Sequence, residues 1–379
     1  MSGPFPILQF GTSRFLQAHA DLFISEALAR GEALGPVAVV ETTGSPASVA
    51  RVAAFAAGQG YPVRIRGLRD GATVDETVTG RAIGLGLSAA RDWQTVRRIA
   101  IHEADVILSN TGDRGFDLNP ADDAGILTDP QRVPASFPAK LLALLHARFV
   151  VSPGRPLSLF PCELIVGNGD RLKAILTGLA ASWGTPPAFA DWLAGHCRFA
   201  NSLVDRIVSE PIEPAGAVAE PYALWAIAAQ DGLVLPCRHP AIVVTGDLDR
   251  YERLKLFLLN LGHTVLAAAW QDGARPAGMT VFQAMNDDSL RTAVEAVWQD
   301  EVLPVFAARG EGEAAAAYLA TVRERFLNPF LVHRLADIAQ NRAEKVRRRI
   351  VPLLAEAADL CPDLPQPQLK AIAEANDDR

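Results

Sequence analysis

Pro6-Ile7-Leu8-Gln9-Phe10-Gly11-Thr12-Ser13-Arg14-Phe15-Leu16 is the stretch whose reading decides the fold. Pro6 to Phe10 reads as a short strand, Gly11-Thr12-Ser13 as a turn, and Arg14 to Ala29 as an amphipathic helix. Phe15, Ala18, Leu22 and Phe23 fall on its buried face, and Ser13 stands where a helix cap belongs. A strand that turns on glycine directly into a helix is a βα unit, and more strands of the same kind follow. Val37 to Val40 closes in Glu41-Thr42-Thr43-Gly44, Ala104 to Leu108 in Ser109-Asn110-Thr111-Gly112, and Pro156 to Phe160 in Pro161-Cys162-Glu163. Mostly apolar strands with helices between them imply a parallel sheet covered on both faces. The fold class is therefore α/β, with a Rossmann-type doubly wound sheet that takes ligands at the carboxyl ends of its strands.

Tyr222 to Val244 reads as added strands, antiparallel in part, joined to the same sheet. From Tyr251 the pattern is helical almost to the end, broken at Gly310 to Gly312, Asn328-Pro329 and Pro362 to Pro367. The expected organisation is a dinucleotide-binding Rossmann-type domain over 1–248 and a mainly α-helical C-terminal substrate domain over 249–379.

Composition narrows the function classes. An apolar fraction of 49% with 26 prolines and 29 glycines fits a globular α/β protein, and 379 residues exceed one ordinary core. A net charge of -7 offers no basic stripe, so nucleic acid is not an expected partner. No run approaches roughly eighteen uninterrupted apolar residues, so no membrane span is expected. Met1 to Gln9 lacks the basic start of a signal peptide, and Cys162, Cys197, Cys237 and Cys361 form no CxxC pair, which suits a reducing cytoplasm. No grouping of His, Asp and Glu has metal-ligand spacing, so no metal is expected.

A turn between a first strand and a first helix sets backbone N–H groups against a pyrophosphate. Of the usual three glycines only Gly11 is present, with Thr12, Ser13, Arg14 and Phe15 completing the turn; an ordinary βα turn fits as well. Glu41 closes the second strand, where an acidic side chain accepts from a ribose 2′-hydroxyl and repels a 2′-phosphate, favouring NAD(H) over its phosphorylated form. Glu41 also reads as an exposed loop glutamate, and Arg14 as a solvated helix residue. Asn110 and Thr111, at a later strand end, complete the candidate cofactor set.

The chemistry is written in Lys255-Leu256-Phe257-Leu258-Leu259-Asn260-Leu261-Gly262-His263. At about 100° per residue, Asn260 lies about 140° around from Lys255 and His263 about 80°, so one broad face carries all three polar groups. A lysine in an apolar helix is unfavourable unless it is paired or neutral. A partly desolvated lysine is what general acid–base chemistry on an alcohol proton needs; Asn260 then donates to a developing alkoxide and His263 holds a neighbouring hydroxyl. The plain alternative is a lysine whose stem lies along a core helix beside a satisfied histidine and asparagine. Asn201 and Asp205, read as one helical turn apart, Asn168 near a strand end, and Lys345 and Arg348 in a basic run are candidate substrate contacts. The run also reads as a solvated helix face.

These segments together resemble the long-chain mannitol (polyol) dehydrogenase family. The likeness rests on LQFG with Arg14-Phe15-Leu16, on NSLVDRIV from Asn201 to Val208, on KLFLLNLGH from Lys255 to His263, and on Arg325-Phe326-Leu327-Asn328-Pro329. Ser136 to Leu141, Pro161 to Ile165 and Ala284 to Asp287 are similar to its tagaturonate-reducing (altronate dehydrogenase) branch. The resemblance implies metal-free hydride transfer with NAD(H), Lys255 as acid–base, Asn260 as oxyanion donor, His263 as substrate contact and Lys345 as a lysine near the substrate. Leu164 stands where the mannitol branch has a second oxyanion asparagine, and Ser13 where the family turn has a second glycine. The leading expectation is interconversion of a ketohexuronate, tagaturonate or fructuronate, with its aldonate. The alternatives are a dehydrogenase of neutral alditols such as mannitol or arabinitol, and a catalytically silent nucleotide-binding relative. Expected partners are a small sugar acid or polyol and, at most, further copies in a small homo-oligomer.

Overall fold

The computed structural model describes residues 3–112, 114–273 and 275–377, and the chain divides into two compact units. The first comprises Met1–Ile65, Glu76–Ala219 and Ala223–Leu248; the second comprises Arg66–Asp75, Glu220–Tyr222 and Asp249–Arg379. The strands are β1 (Ile7–Phe10), β2 (Val37–Glu41), β3 (Tyr61–Arg69), β4 (Ala72–Gly80), β5 (Ile83–Ser88), β6 (Val106–Ser109), β7 (Leu157–Pro161), β8 (Cys197–Phe199), β9 (Ser202–Asp205), β10 (Val208–Pro211), β11 (Ala217–Ala219), β12 (Leu224–Ala228) and β13 (Ile242–Thr245).

Six of them form one parallel sheet in the order β5-β2-β1-β6-β7-β8. Every residue of β1, β2, β6 and β7 is buried, as continuous apolar strands in a sheet covered on both faces must be. The order of strands reverses between β1 and β6, so the doubly wound expectation holds and the switch point lies beside Gly11 and Asn110. Helices Trp93–His102 and Phe137–Val151 seal one side of this core, where Phe10 meets Phe137 at 5.4 Å.

Two local readings are corrected. The first helix is not continuous: Arg14–Gln17 and Ala20–Arg30 are separate, because His19 leaves helical geometry and its ring nitrogen bonds the Leu224 carbonyl at 3.0 Å. Leu16, rather than Phe15, is the buried apolar residue of the first turn. The extra strands do not extend the large sheet either. β9 pairs antiparallel with β12, which pairs with β13, forming a separate three-stranded sheet. β10, β11, β3 and β4 form another, and the alternating burial of β3 marks a sheet with one buried face.

The second unit is mainly helical and packs around Trp298, Phe306, Leu319 and Phe326. Within it, Arg325 donates to both oxygens of Glu220, at 3.0 and 2.8 Å, and lies 4.5 Å from the Tyr222 ring centre. Both charged side chains are almost fully removed from water. This bidentate pair ties the short segment Glu220–Tyr222 to the helix Gly312–Phe326. No helix among the described residues is long and apolar enough to cross a membrane. Arg325→Leu removes the bidentate partner of the buried Glu220 carboxylate and should destabilise the fold by about 3–5 kcal/mol. The double replacement Glu220→Leu with Arg325→Leu should recover most of that loss in denaturant unfolding. Equal instability of the single and double variants would rule out charge burial as the cause.

Candidate functional site

In the first unit, the candidate cofactor residues converge on the carboxyl ends of β1, β2 and β6. Gly11 has φ 104° and donates to the Val40 carbonyl at 3.0 Å. A Cβ there would sit 2.3 Å from the Asn110 carbonyl oxygen, so the close approach of β1 and β6 admits only glycine. Ser13 caps the short helix by accepting from Leu16 N, as the sequence indicates. The turn is held from beneath: Gln9 Nε2 donates to the Gly11 carbonyl, Gln17 Nε2 to the Thr12 carbonyl and Arg51 Nε to Thr12 Oγ1. The backbone N–H groups of Thr12 and Ser13 donate to no protein atom among the described residues. Two free amides above a glycine turn, at the switch point of a parallel sheet, fit a dinucleotide phosphate.

Glu41 is buried rather than an exposed loop glutamate. Its carboxylate accepts from Gly44 N at 2.7 Å and from Ser88 Oγ, closing the loop after β2. Two carboxylate oxygens offer about four acceptor positions, so capacity for a ribose hydroxyl remains. Arg14 is neither solvated nor aimed at a phosphate. It donates to the Ile212 and Gly216 carbonyls and pairs with Glu213, because the β10–β11 connection lies against it. Phe15 stacks on His19 at 4.7 Å. Asn110 Nδ2 donates to the Cys162 carbonyl, while Thr111 donates through N and Oγ1 to Glu163. Burial pushes the Glu163 carboxyl above the ordinary carboxylate range, against the pull of these donors.

Two candidate substrate contacts are placed differently from the sequence reading, and a third is engaged within the fold. Asn201 and Asp205 are not one helical turn apart, because Ser202–Asp205 is strand β9. Asn201 exchanges hydrogen bonds with Asp170, and Asp205 is buried at the end of β9. Asn168 is 1% exposed; its amide donates to the Pro161, Glu163 and Ser202 carbonyls and accepts from Gly169 N and Ser202 N. An amide engaged this fully fastens β7 to β9 and has nothing left for a ligand.

In the second unit, Lys255, Asn260 and His263 lie on one continuous helical rod, but its middle is not α-helical. Lys255–Asn260 is a π-segment between the α-helices Leu248–Leu254 and Leu261–Asp272. Widening to i→i+5 bonding resets the phase after Lys255, so the 100°-per-residue reckoning does not hold across it. Such bulges are frequent at functional sites. Its carbonyls also accept from side chains: Trp298 Nε1 reaches Leu258 O at 3.0 Å, while Arg349 Nη1 and Thr264 Oγ1 reach Asn260 O at 3.2 and 3.0 Å. Gly262 makes the Trp298 approach possible, since a Cβ there would lie 2.4 Å from the indole ring.

Lys255 and Asn260 are half-buried, and His263 is buried, stacked on Phe326 at 4.2 Å and edge-on to His333 at 4.7 Å. His333 was not identified from sequence; burial chiefly depresses its pKa, with Lys345 and Arg349 acting the same way and Asp337 opposing. Lys345 donates to the Ile338 carbonyl at 2.7 Å, and burial, then Arg349, lowers its pKa. Arg348 is mostly exposed and paired with Glu344 one turn back, whereas its neighbour Arg349 is the one that reaches Asn260. Among the described residues, no group of three or more His, Cys, Asp or Glu side chains could hold a metal ion.

Comparison with known proteins bears on both units. A family model described as the mannitol dehydrogenase Rossmann domain matches residues 6–233, and one described as the mannitol dehydrogenase C-terminal domain matches 247–367. An altronate oxidoreductase of Halalkalibacterium halodurans is 32% identical over 92% of this chain and 70% of its own length. That of Bacillus subtilis is 31% identical over 96% of this chain and 77% of its own, and one from Klebsiella pneumoniae is 32% identical over 98% and 79%. Among solved structures, a substrate-free D-sorbitol dehydrogenase shares the fold with TM-score 0.82 at 20% identity, covering 98% of this chain and 80% of that one. Pseudomonas fluorescens mannitol 2-dehydrogenase, in a ternary complex with NAD and D-mannitol, shares it with TM-score 0.73 at 18% identity, covering 99% and 79%.

Beneath the β1 turn lies Asp21, fully buried, with its carboxyl raised to about 7 by desolvation against a hydrogen bond from Gln9 at 3.2 Å. The folded protein thus holds this proton up to about pH 7, whereas the unfolded chain releases it near 3.8. Stability from this group is fully present below about pH 4 and falls as pH rises to about 7, by roughly 4 kcal/mol in total. The Asp21→Asn variant should lack that fall. Denaturant unfolding of both proteins between pH 4.5 and 8 measures the difference; parallel pH profiles would show that Asp21 titrates normally.

Proposed function

The chain belongs to the mannitol dehydrogenase family, and on that footing we propose that it is an NAD(H)-dependent oxidoreductase that interconverts altronate and the ketohexuronate tagaturonate. What carries this reading is the identity of 31–32% to proteins named altronate oxidoreductase, over 92–98% of this chain. A nicotinamide held at the β1 turn would supply the hydride acceptor for the alcohol carbon and the hydride donor for the ketone. The remaining work falls to side chains. In the oxidation direction Lys255 Nζ, as the neutral amine, accepts the hydroxyl proton while the carbon loses hydride, leaving a ketone and an ammonium group. In reduction the ammonium returns the proton. The Asn260 side chain donates to the oxygen as negative charge develops on it, and His263 holds an adjacent hydroxyl. Thr12 and Ser13 receive the pyrophosphate through backbone N–H groups beside the turn at Gly11, and Glu41 favours the unphosphorylated ribose.

Two measurements test this. NADH oxidation should be rapid with tagaturonate and much slower with fructose or xylulose, and NADPH should serve poorly. Turnover confined to neutral ketoses would replace the uronate reading with a polyol dehydrogenase, and cofactor binding without any turnover would favour a silent relative. Lys255→Ala should lower kcat by about a hundredfold or more, the scale of a lost general acid–base, while NADH still quenches protein fluorescence. Loss of folding or of NADH binding in that variant would make the lysine structural.

A further inference from the structure

Three groups able to carry positive charge gather in the second unit beside the π-segment. Arg349 Nη1 donates to Asn260 O at 3.2 Å and to Thr264 Oγ1 at 3.1 Å. Lys345 stands one turn before it on the helix Arg342–Arg349, and His333 meets His263 edge-on. The three are close enough that Arg349 depresses the basicity of Lys345, and both depress that of His333. Asp337 acts on His333 and Glu344 on Lys345 through their charges, but neither acid forms an ion pair with Lys345 or Arg349, and no other described residue does. Other arginines of this unit are paired: Arg323 with Glu295, Arg309 with Glu356, Arg253 with Glu311.

Half-buried cations set side by side without a counter-ion are unfavourable, and an anion supplied from outside relieves both the repulsion and the desolvation. A neutral polyol brings no such anion; a sugar acid brings one carboxylate. Of the cluster, Arg349 is the member suited to it, because only Nη1 is occupied and the Nη2 and Nε donors of its fork remain.

We infer that Arg349 is the specificity-determining residue of this enzyme, its guanidinium holding the substrate carboxylate with Lys345 beside it. The assignment rests on the altronate reading and replaces Arg348, whose charge is already paired with Glu344. Arg349 also holds the Asn260 carbonyl, so a purely structural role predicts loss of turnover rather than of acid binding.

The test is steady-state oxidation of altronate by the wild type, Arg349→Met, Arg349→Lys and Arg347→Met, the last an equal loss of charge at an exposed position of the same helix. Arg349→Met should raise KM for altronate about a hundredfold, with kcat within about fivefold of wild type, and Arg347→Met should change KM by less than about twofold. Arg349→Lys keeps the charge and loses the fork, and should raise KM about tenfold. If Arg349→Met does not fold, an unaltered KM in Arg349→Lys overturns the assignment by itself. A fall in kcat at unchanged KM, or equal behaviour of Arg349→Met and Arg347→Met with an active wild type, overturns it while leaving the altronate reading intact. A wild type that ignores altronate and turns over neutral polyols overturns both.

Discussion

A helix widened by one residue departs from the regular i→i−4 ladder, and side chains from elsewhere in the second unit bond the carbonyls there. Beside the π-segment Lys255–Asn260, the carbonyls of Leu258 and Asn260 each accept from side chains. Trp298 caps the first and Arg349 with Thr264 caps the second. Trp298 itself belongs to a second π-segment, Val297–Val302, and can approach only because residue 262 is glycine. The same bulge changes where Lys255 stands relative to Asn260 and His263. The feature that makes this helix hard to build is therefore the one that arranges its polar face.

The first unit solves a different problem, the support of a turn that must stay open. Gly11 packs against β6 with no room for a side chain, and the loop beyond it is held by Gln9, Gln17 and Arg51 from below. Gln9 and Gln17 are buried, and so is Asp21, in contact with Gln9; desolvation there is why Asp21 retains its proton near neutrality. The amides of Thr12 and Ser13 are left without protein partners among the described residues, just beyond the carboxyl end of β1, where such folds take phosphates. Rigidity below and unsatisfied donors above are two halves of one arrangement.

Much of this could be read from the chain alone. Continuous apolar runs at Ile7–Phe10, Val37–Glu41 and Val106–Ser109, each closed by polar or glycine residues, have few outcomes other than buried parallel strands. Ser13 as a cap and the family motifs around Lys255 were equally visible. The readings that failed did so where short segments have no strong period. NSLVD has two adjacent apolar residues and a plausible helical spacing but no clear period, and only its pairing with β12 decides for a strand. The break at His19 depends on a carbonyl more than 200 positions away in the chain.

The sequence by itself determined the class of the sheet, the helical character of the second unit, the family and the set of polar residues around Lys255, because hydrophobic period and motif spacing are local properties. The tertiary structure alone decided how those polar residues are phased and which basic residue joins them. A π-bulge is stabilised by donors from distant segments, so neither Trp298 nor Arg349 announces itself in the window that contains it. Arg348 and Arg349 are adjacent and chemically identical, and about 100° of helical rotation separates a surface ion pair from a hydrogen bond to Asn260. That difference depends on which face of the helix meets the rest of the unit, which packing settles and composition does not.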